Sequence, residues 1–313
     1  MYLQNNDDDK FSKQVRVKSA SKVITQRTLT ESCNIMKRLS LVLIAVGACA
    51  LIIPNAHATL LFSDGFNYTS GDFLGAGTTT PPWLLQSSTA AAQLSISTPN
   101  LTYPGLLDLG GNALTENSGV GSVRGYAALS SAVTSGSVYY SFLIECTALP
   151  TGNSYLTALT PSATPGPNGN TTDAIDLYGH NATGGWTIGV RTAGVSASYA
   201  SPVLSINTVY FGVLKYTFNG STPTAQLFFS PTPGSTEPGT ADVTLTGIGS
   251  TVANISNVGF RAQATAAVGN FVFDNVMVGT TWEDVTQPVP EPATFALAGL
   301  GMLGLVLARR MRR

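Results

Sequence analysis

Short runs of alternating apolar and polar residues recur through the middle of the chain, separated by clusters of Gly, Pro and Asn. A period of two marks a strand with one buried face, and no long stretch shows the 3.6-residue apolar period of an amphipathic helix. The pattern predicts strands over Leu60–Asn67, Gln93–Ser97, Val123–Leu129, Ser137–Cys146, Tyr155–Leu159 and Ala174–Tyr178. Further strands are predicted over Trp186–Arg191, Val209–Phe218, Thr224–Phe229, Asn257–Ala262 and Gly269–Val278. Ser137–Ile144 mixes β-branched and aromatic residues, the composition of a half-buried pleated surface. Residues 160–172, with three prolines and two glycines, and residues 231–239 read as loops. No internal repeat is visible. Residues 59–286 therefore predict one all-β, antiparallel two-sheet sandwich, a class that can run to about 200–250 residues as a single domain.

Both ends break this pattern. Met36-Lys37-Arg38 is a positive n-region, Leu39–Ile53 an apolar h-region, and Ala56-His57-Ala58 supplies small residues at the two positions a signal peptidase reads. Residues 36–58 are thus expected to be a signal peptide, with the exported chain starting at Thr59. Residues 1–35 are polar and read as an upstream extension from a misassigned start, the rival being an unusually long n-region. Val46-Gly47-Ala48-Cys49 loosely resembles a lipobox, but the apolar run continues past Cys49 to the Ala-x-Ala site.

At the other end, residues 287–313 hold Pro290-Glu291-Pro292, an apolar run Ala293–Ala308, and Arg309, Arg310, Arg312 and Arg313. The run predicts a C-terminal transmembrane helix, although sixteen residues is just under the roughly 17–25 usual for a span. The arginines would act as membrane-stop charges on the cytoplasmic side. The precursor would then sit in the inner membrane with everything before Pro288 outside the cytoplasm.

Charge and cysteine narrow the exported part. Between Thr59 and Thr286 four basic residues (Arg124, Arg191, Lys215, Arg261) face twelve acidic ones, a net of −8. Four scattered cations cannot build the basic footprint that nucleic acid requires, so no nucleic-acid partner is expected. Cys146 is the one cysteine of this span, so it has no intramolecular disulfide. Without a basic partner it reads as a buried strand thiol.

The tail resembles the PEP-CTERM sorting signals of Gram-negative bacteria: a Pro-Glu-Pro triplet, a Gly/Ala/Leu-rich stretch and an Arg-rich end, in that order. The resemblance implies recognition by an exosortase, cleavage near the triplet, and delivery to the surface or outside, often alongside exopolysaccharide. Signal peptidase and the secretion machinery would act first. The bland alternative is a plain anchor behind a proline-rich stalk.

A second resemblance is diffuse. Leu61-Phe62-Ser63-Asp64-Gly65-Phe66-Asn67-Tyr68, the run Val209–Phe218 followed by Ala225–Pro231, and Phe271–Thr280 together look like concanavalin-A-like, laminin-G-like jelly-roll domains. The resemblance implies that the first and last strands lie side by side. It also implies a calcium ion as the one cofactor to consider. Asp64, Asp274 and Asn275 are the oxygen donors it would use; the alternative is a hydrogen-bonded Asp tying the two strands.

Chemistry is sparse. Asp173 and Asp176, three apart, are expected on opposite sides of a strand, so they do not make the carboxylate pair of a glycosidase. Glu283-Asp284 are expected at the exit to the stalk. His180 reads as an exposed residue in a hairpin turn. Trp83, Trp186 and Trp282 are sugar-stacking platforms or core. The reading is a non-catalytic exported protein, the alternative a carbohydrate-binding, lectin-like module.

Overall fold

The computed structural model describes residues 60–74, 83–86, 94–117, 122–161, 173–192, 195–200, 203–246, 252–263, 269–289 and 309–310. The strands among them are β1 (Leu60–Asp64), β2 (Trp83–Leu85), β3 (Leu94–Ser97), β4 (Ala113–Glu116), β5 (Val123–Val133), β6 (Gly136–Ala148), β7 (Asn153–Thr160) and β8 (Ile175–Ala182). They continue with β9 (Gly185–Arg191), β10 (Ser198–Tyr199), β11 (Val209–Phe218), β12 (Thr224–Phe229), β13 (Val243–Thr246), β14 (Ile255–Ala262) and β15 (Asn270–Gly279). One helical turn, α1 (Trp282–Val285), follows. The strands form an eight-stranded sheet, β13-β12-β11-β6-β15-β4-β3 with β1 on β15, and a seven-stranded sheet, β10-β9-β8-β7-β14-β5-β2. The expected all-β, two-sheet antiparallel arrangement is the one the chain adopts.

The first and last strands do lie side by side. One edge of β15 pairs with β6; the other is shared by β4, opposite Phe271–Phe273, and β1, opposite Val276–Gly279. Between those two partners the register against β6 slips, between Asp274 and Met277. Asn275 takes up the slip at φ +53°, a left-handed conformation that Asn tolerates better than most residues.

Two apolar layers follow from this topology. Between the sheets, Trp83 and Phe260 lie 5.4 Å apart and Phe260 and Phe273 5.0 Å apart, so aromatic contacts cross from one sheet to the other. A second layer covers the outer side of the eight-stranded sheet, where Tyr139, Leu143, Phe211, Phe228 and Met277 meet Leu101, Leu106, Trp282 and Val285. Ser137–Ile144 is therefore not the half-buried surface its composition suggested. Val138 through Leu143 are all buried because both faces of β6 are covered.

The expected transmembrane helix needs correction. Among the described residues no helix is long and apolar enough to cross a membrane. The apolar run 293–308 lies outside the described residues. The physical shortfall is length: sixteen residues at 1.5 Å each reach about 24 Å, against a hydrocarbon core of about 30 Å.

Candidate functional site

The outer face of the seven-stranded sheet is unlike the other sheet faces. On β5, β14 and β9 the core residues Val123, Phe260 and Val190 point inward, so their neighbours Arg124, Arg261 and Arg191 point out. On β8, Ile175 and Leu177 point in, leaving Asp176, Tyr178 and His180 outside. Register then brings these groups together: Arg124 lies opposite Arg261, Tyr155 opposite Tyr178, and Asp176 opposite Arg191. Three of the four basic residues between Thr59 and Thr286 share this face. The fourth, Lys215, is paired to Glu237 at 2.6 Å on the eight-stranded sheet.

A buried brace organises the centre. Tyr155 Oη lies 2.7 Å from Asp173 Oδ2 and also meets Asp176 Oδ1. Tyr155 Oη donates toward both carboxyls. Burial, and then the nearby charge of Asp173, pushes the Asp176 carboxyl well above the usual range. Arg261 stacks on the same ring, its guanidinium carbon 4.9 Å from the centroid, and Tyr178 meets it edge-on at 4.9 Å. The expectation that Asp173 and Asp176 face opposite sides is thus corrected. Asp173 precedes the first residue of β8, free of strand alternation, and turns onto the same tyrosine. Both carboxyls are buried, at 1% and 2% exposure, and they are committed to Tyr155, which leaves them unsuited to acid–base work on a substrate.

Two clefts flank this brace. One, of about 370 Å³, is lined by Asn153, Tyr178, Arg191, Val195, Ser196 and Ala197. Arg191 Nη1 donates to Tyr178 Oη there at 3.1 Å. The other, of about 780 Å³, includes Leu149, Thr151, His180, Asn181, Ser205 and Ile206 in its lining. The His180 Nδ1–Asn153 Oδ1 hydrogen bond, 2.7 Å long, ties a wall of one to a wall of the other. His180 is not in a turn, as expected, but within β8; its ring packs 5.1 Å from that of Tyr199. Tyr199 in turn lies over Gly189, where a Cβ would stand 2.5 Å from Tyr199 Cδ1.

The remaining sequence candidates fall elsewhere. Trp83, Trp186 and Trp282 are 1%, 0% and 2% exposed and belong to the apolar layers, so none offers a stacking platform. Asp64 accepts from Phe66 N, Tyr68 Oη and Trp83 Nε1 at 2.6–2.7 Å. Asp274 accepts from Leu101 N and Asn275 N, and Asn275 holds Leu109 N and Leu107 O. The last strand is thereby laced to residues 101–109 and the first to residues 66–83, so these side chains tie the two strands to other segments rather than to each other. Among the described residues no group of three or more His, Cys, Asp or Glu could hold a metal ion. Cys146 is buried, donates to Ala148 O at 3.3 Å, and burial pushes its thiol up to about 12.

At the exit, Asp284 does not dangle before a stalk. Its Oδ2 accepts from Thr280 N and Thr281 N in a capping box that starts α1. The chain then stays on the body: Gly234 N donates to Thr286 O, Leu107 N to Gln287 O and Val289 N to Gly105 O, at 2.8, 2.9 and 3.0 Å. Pro290, Glu291, Pro292, Arg312, Arg313, Ala56 and Ala58 lie outside the described residues; Arg309 and Arg310 are exposed.

The comparisons with known proteins bear first on this tail. Residues 288–313 match the family profile of the PEP-CTERM protein-sorting motif. The chain carries that sorting motif. A PEP-CTERM motif implies an exosortase as partner and is consistent with export and sorting to the surface. No curated protein matches the chain in sequence.

Among solved structures the sandwich is similar to lectin II from Ulex europaeus, at 13% identity and a TM-score of 0.40, over 70% of this chain and 97% of that one. It is similar to the CBM2 module of Lactobacillus casei BL23 phage J-1 evolved Dit at 9% identity and 0.39, over 71% and 95%. Trypanosoma rangeli sialidase is similar at 16% identity and 0.35, over 60% of this chain, which spans 28% of the sialidase. Such likenesses carry no argument about ligand or activity.

Sequence reasoning missed the brace and both clefts. The signal available was that Arg124, Arg191 and Arg261 each directly follow a core residue on a strand, so all three had to face away from the core. That β5, β14 and β9 share one sheet was not readable from the chain.

Proposed function

We propose that this chain is an exported protein sorted through its PEP-CTERM motif, with a non-catalytic sandwich that binds carbohydrate on the outer face of the seven-stranded sheet. Residues 36–58 act as the signal peptide, residues 59–286 form the exported domain, and residues 287–313 form the sorting tail. The sorting half rests on the match over residues 288–313.

The binding half rests on one observation: a face where Tyr199, His180 and three arginines stand beside two clefts, backed by the buried Tyr155 and Tyr178. Tyrosine and histidine offer an apolar ring with a polar edge, which suits the mixed faces of a sugar. Arginine adds planar donors. A cleft of this size falls in the range of small-ligand sites, about 300–1,000 Å³. The ligand class fits an exopolysaccharide met after export. The test is a glycan array probed with the full chain and with Tyr199→Ala. Retention on glycans that drops with the variant supports the reading. Binding to no glycan ends it.

A further inference from the structure

We infer that the Arg191 cleft takes an anionic sugar, a uronate whose carboxylate meets the Arg191 guanidinium. This rests on the carbohydrate reading above and narrows it to one charge class at one place. Lys215 has its counterion in Glu237, at 2.6 Å. The other exported cations, Arg124, Arg191 and Arg261, gather on one face of a span with net charge −8. Arg124 and Arg261 share that face with the buried Asp173 and Asp176, so the attraction for an anion lies with the arginine in the cleft.

Arg191 is the member of that group set in a cleft. Among the described residues it makes no ion pair; it donates to the neutral Tyr178 hydroxyl at 3.1 Å. Asp176, its partner across the β8–β9 pairing, is occupied with Tyr155. Burial pushes that carboxyl well above the usual range, which weakens its hold on the Arg191 charge. Tyr178 is itself fixed edge-on against Tyr155, so the guanidinium is held by a rigid neutral support. A planar fork so held matches a carboxylate through two parallel hydrogen bonds.

The rest of the lining suits a pyranose ring. Asn153 and Ser196 supply side-chain donors and acceptors, while Val195, Ala197 and the Tyr178 ring supply apolar surface. At about 370 Å³ the cleft has room for one ring and its waters and not for a folded partner. One arginine in a negative domain suits a sparse carboxylate on a sugar better than a dense polyphosphate.

The experiment titrates the full chain with an oligogalacturonate, with the same oligomer fully methyl-esterified, and with a neutral glucan oligomer of equal length, by calorimetry in low-salt buffer. Inorganic phosphate serves as competitor. The acid oligomer is expected to bind at least tenfold more tightly than its ester. Arg191→Gln should remove that preference with an unchanged melting temperature. Ser196→Glu, at an exposed position, should weaken the acid oligomer at least tenfold more than the neutral one, and serves if Arg191→Gln fails to fold. If acid and ester bind alike, or phosphate displaces the oligomer at equal concentration, the uronate assignment fails while the carbohydrate reading stands. If no oligomer of any kind binds, both fail.

Discussion

The guanidinium carbon of Arg261 lies 4.9 Å from the centre of the Tyr155 ring, whose hydroxyl sits 2.7 Å from Asp173 Oδ2. One ring thus couples a cation on its face to two carboxyls at its edge. Tyr155→Phe keeps the ring and removes the hydroxyl that both carboxyls use. The variant is expected to lose about 1–3 kcal/mol, the cost of leaving a buried polar group unmet. Urea denaturation checks this. An unchanged midpoint would mean that the carboxyls find other partners and the brace is incidental.

Asp274 makes the fold sensitive to pH. Burial, opposed in part by the backbone donors Leu101 N and Asn275 N, and helped by Asp108 and Asp64, lifts its carboxyl from 3.8 to about 7. Between those values the folded chain holds a proton that the unfolded chain has released, so rising pH favours unfolding. The penalty is absent below about pH 4 and complete above about pH 7, roughly 4 kcal/mol at full size. Asp176 and Glu116 are pushed the same way by burial. Stability is therefore expected to fall from pH 4 to pH 8, and Asp274→Asn to reduce that fall. Chemical denaturation at pH 5 and pH 8 on both proteins decides it; equal pH dependence would refute the assignment.

Cys146 should be inert in the native chain. It is buried and its thiol is pushed up to about 12, so little thiolate forms at neutral pH. Alkylation at pH 8 followed by peptide mapping should leave the Cys146 peptide unlabelled until denaturant is added. Rapid labelling without denaturant would show that β6 opens locally.

Glu291 is the one charge of the sorting triplet. Glu291→Ala, and separately the neutral replacement of Arg309, Arg310, Arg312 and Arg313, are expected to block processing and surface delivery while leaving the melting temperature of the sandwich unchanged. Mass spectrometry of surface and cell fractions reads both. Normal processed mass at the surface for both variants would overturn the exosortase role.

The sequence showed the long strands well and the short ones poorly. Val209–Phe218 and Thr224–Phe229 coincide with β11 and β12 because each carries enough alternation to read. β4 and β13, four residues each, and the two-residue β10 are too short to show a period, and none was predicted. β2 was missed for the same reason, although Trp83 is core, the commoner reading of a large aromatic in a sandwich. β6 was located but misjudged, since composition does not reveal a second covered face. The site was hidden for a different reason. Arg124, Arg191 and Arg261 lie 67 and 70 residues apart along the chain, and only the order β9-β8-β7-β14-β5 makes them neighbours. Asp173 and Asp176 were misread because alternation was applied to a residue outside the strand.

The strap formed by Thr286, Gln287 and Val289 has a temporal consequence. Val289 is still bonded to Gly105, so the body holds the chain up to that residue. Its anchor points belong to segments far apart in sequence, around Gly105 and Gly234, and the strap follows directly on β15, which needs β1, β4 and β6 already in place to complete its sheet. A chain that has not finished folding cannot form this strap. The strap is thereby a mark of the finished molecule: an incomplete sandwich leaves residues 286–289 without the partners that hold them.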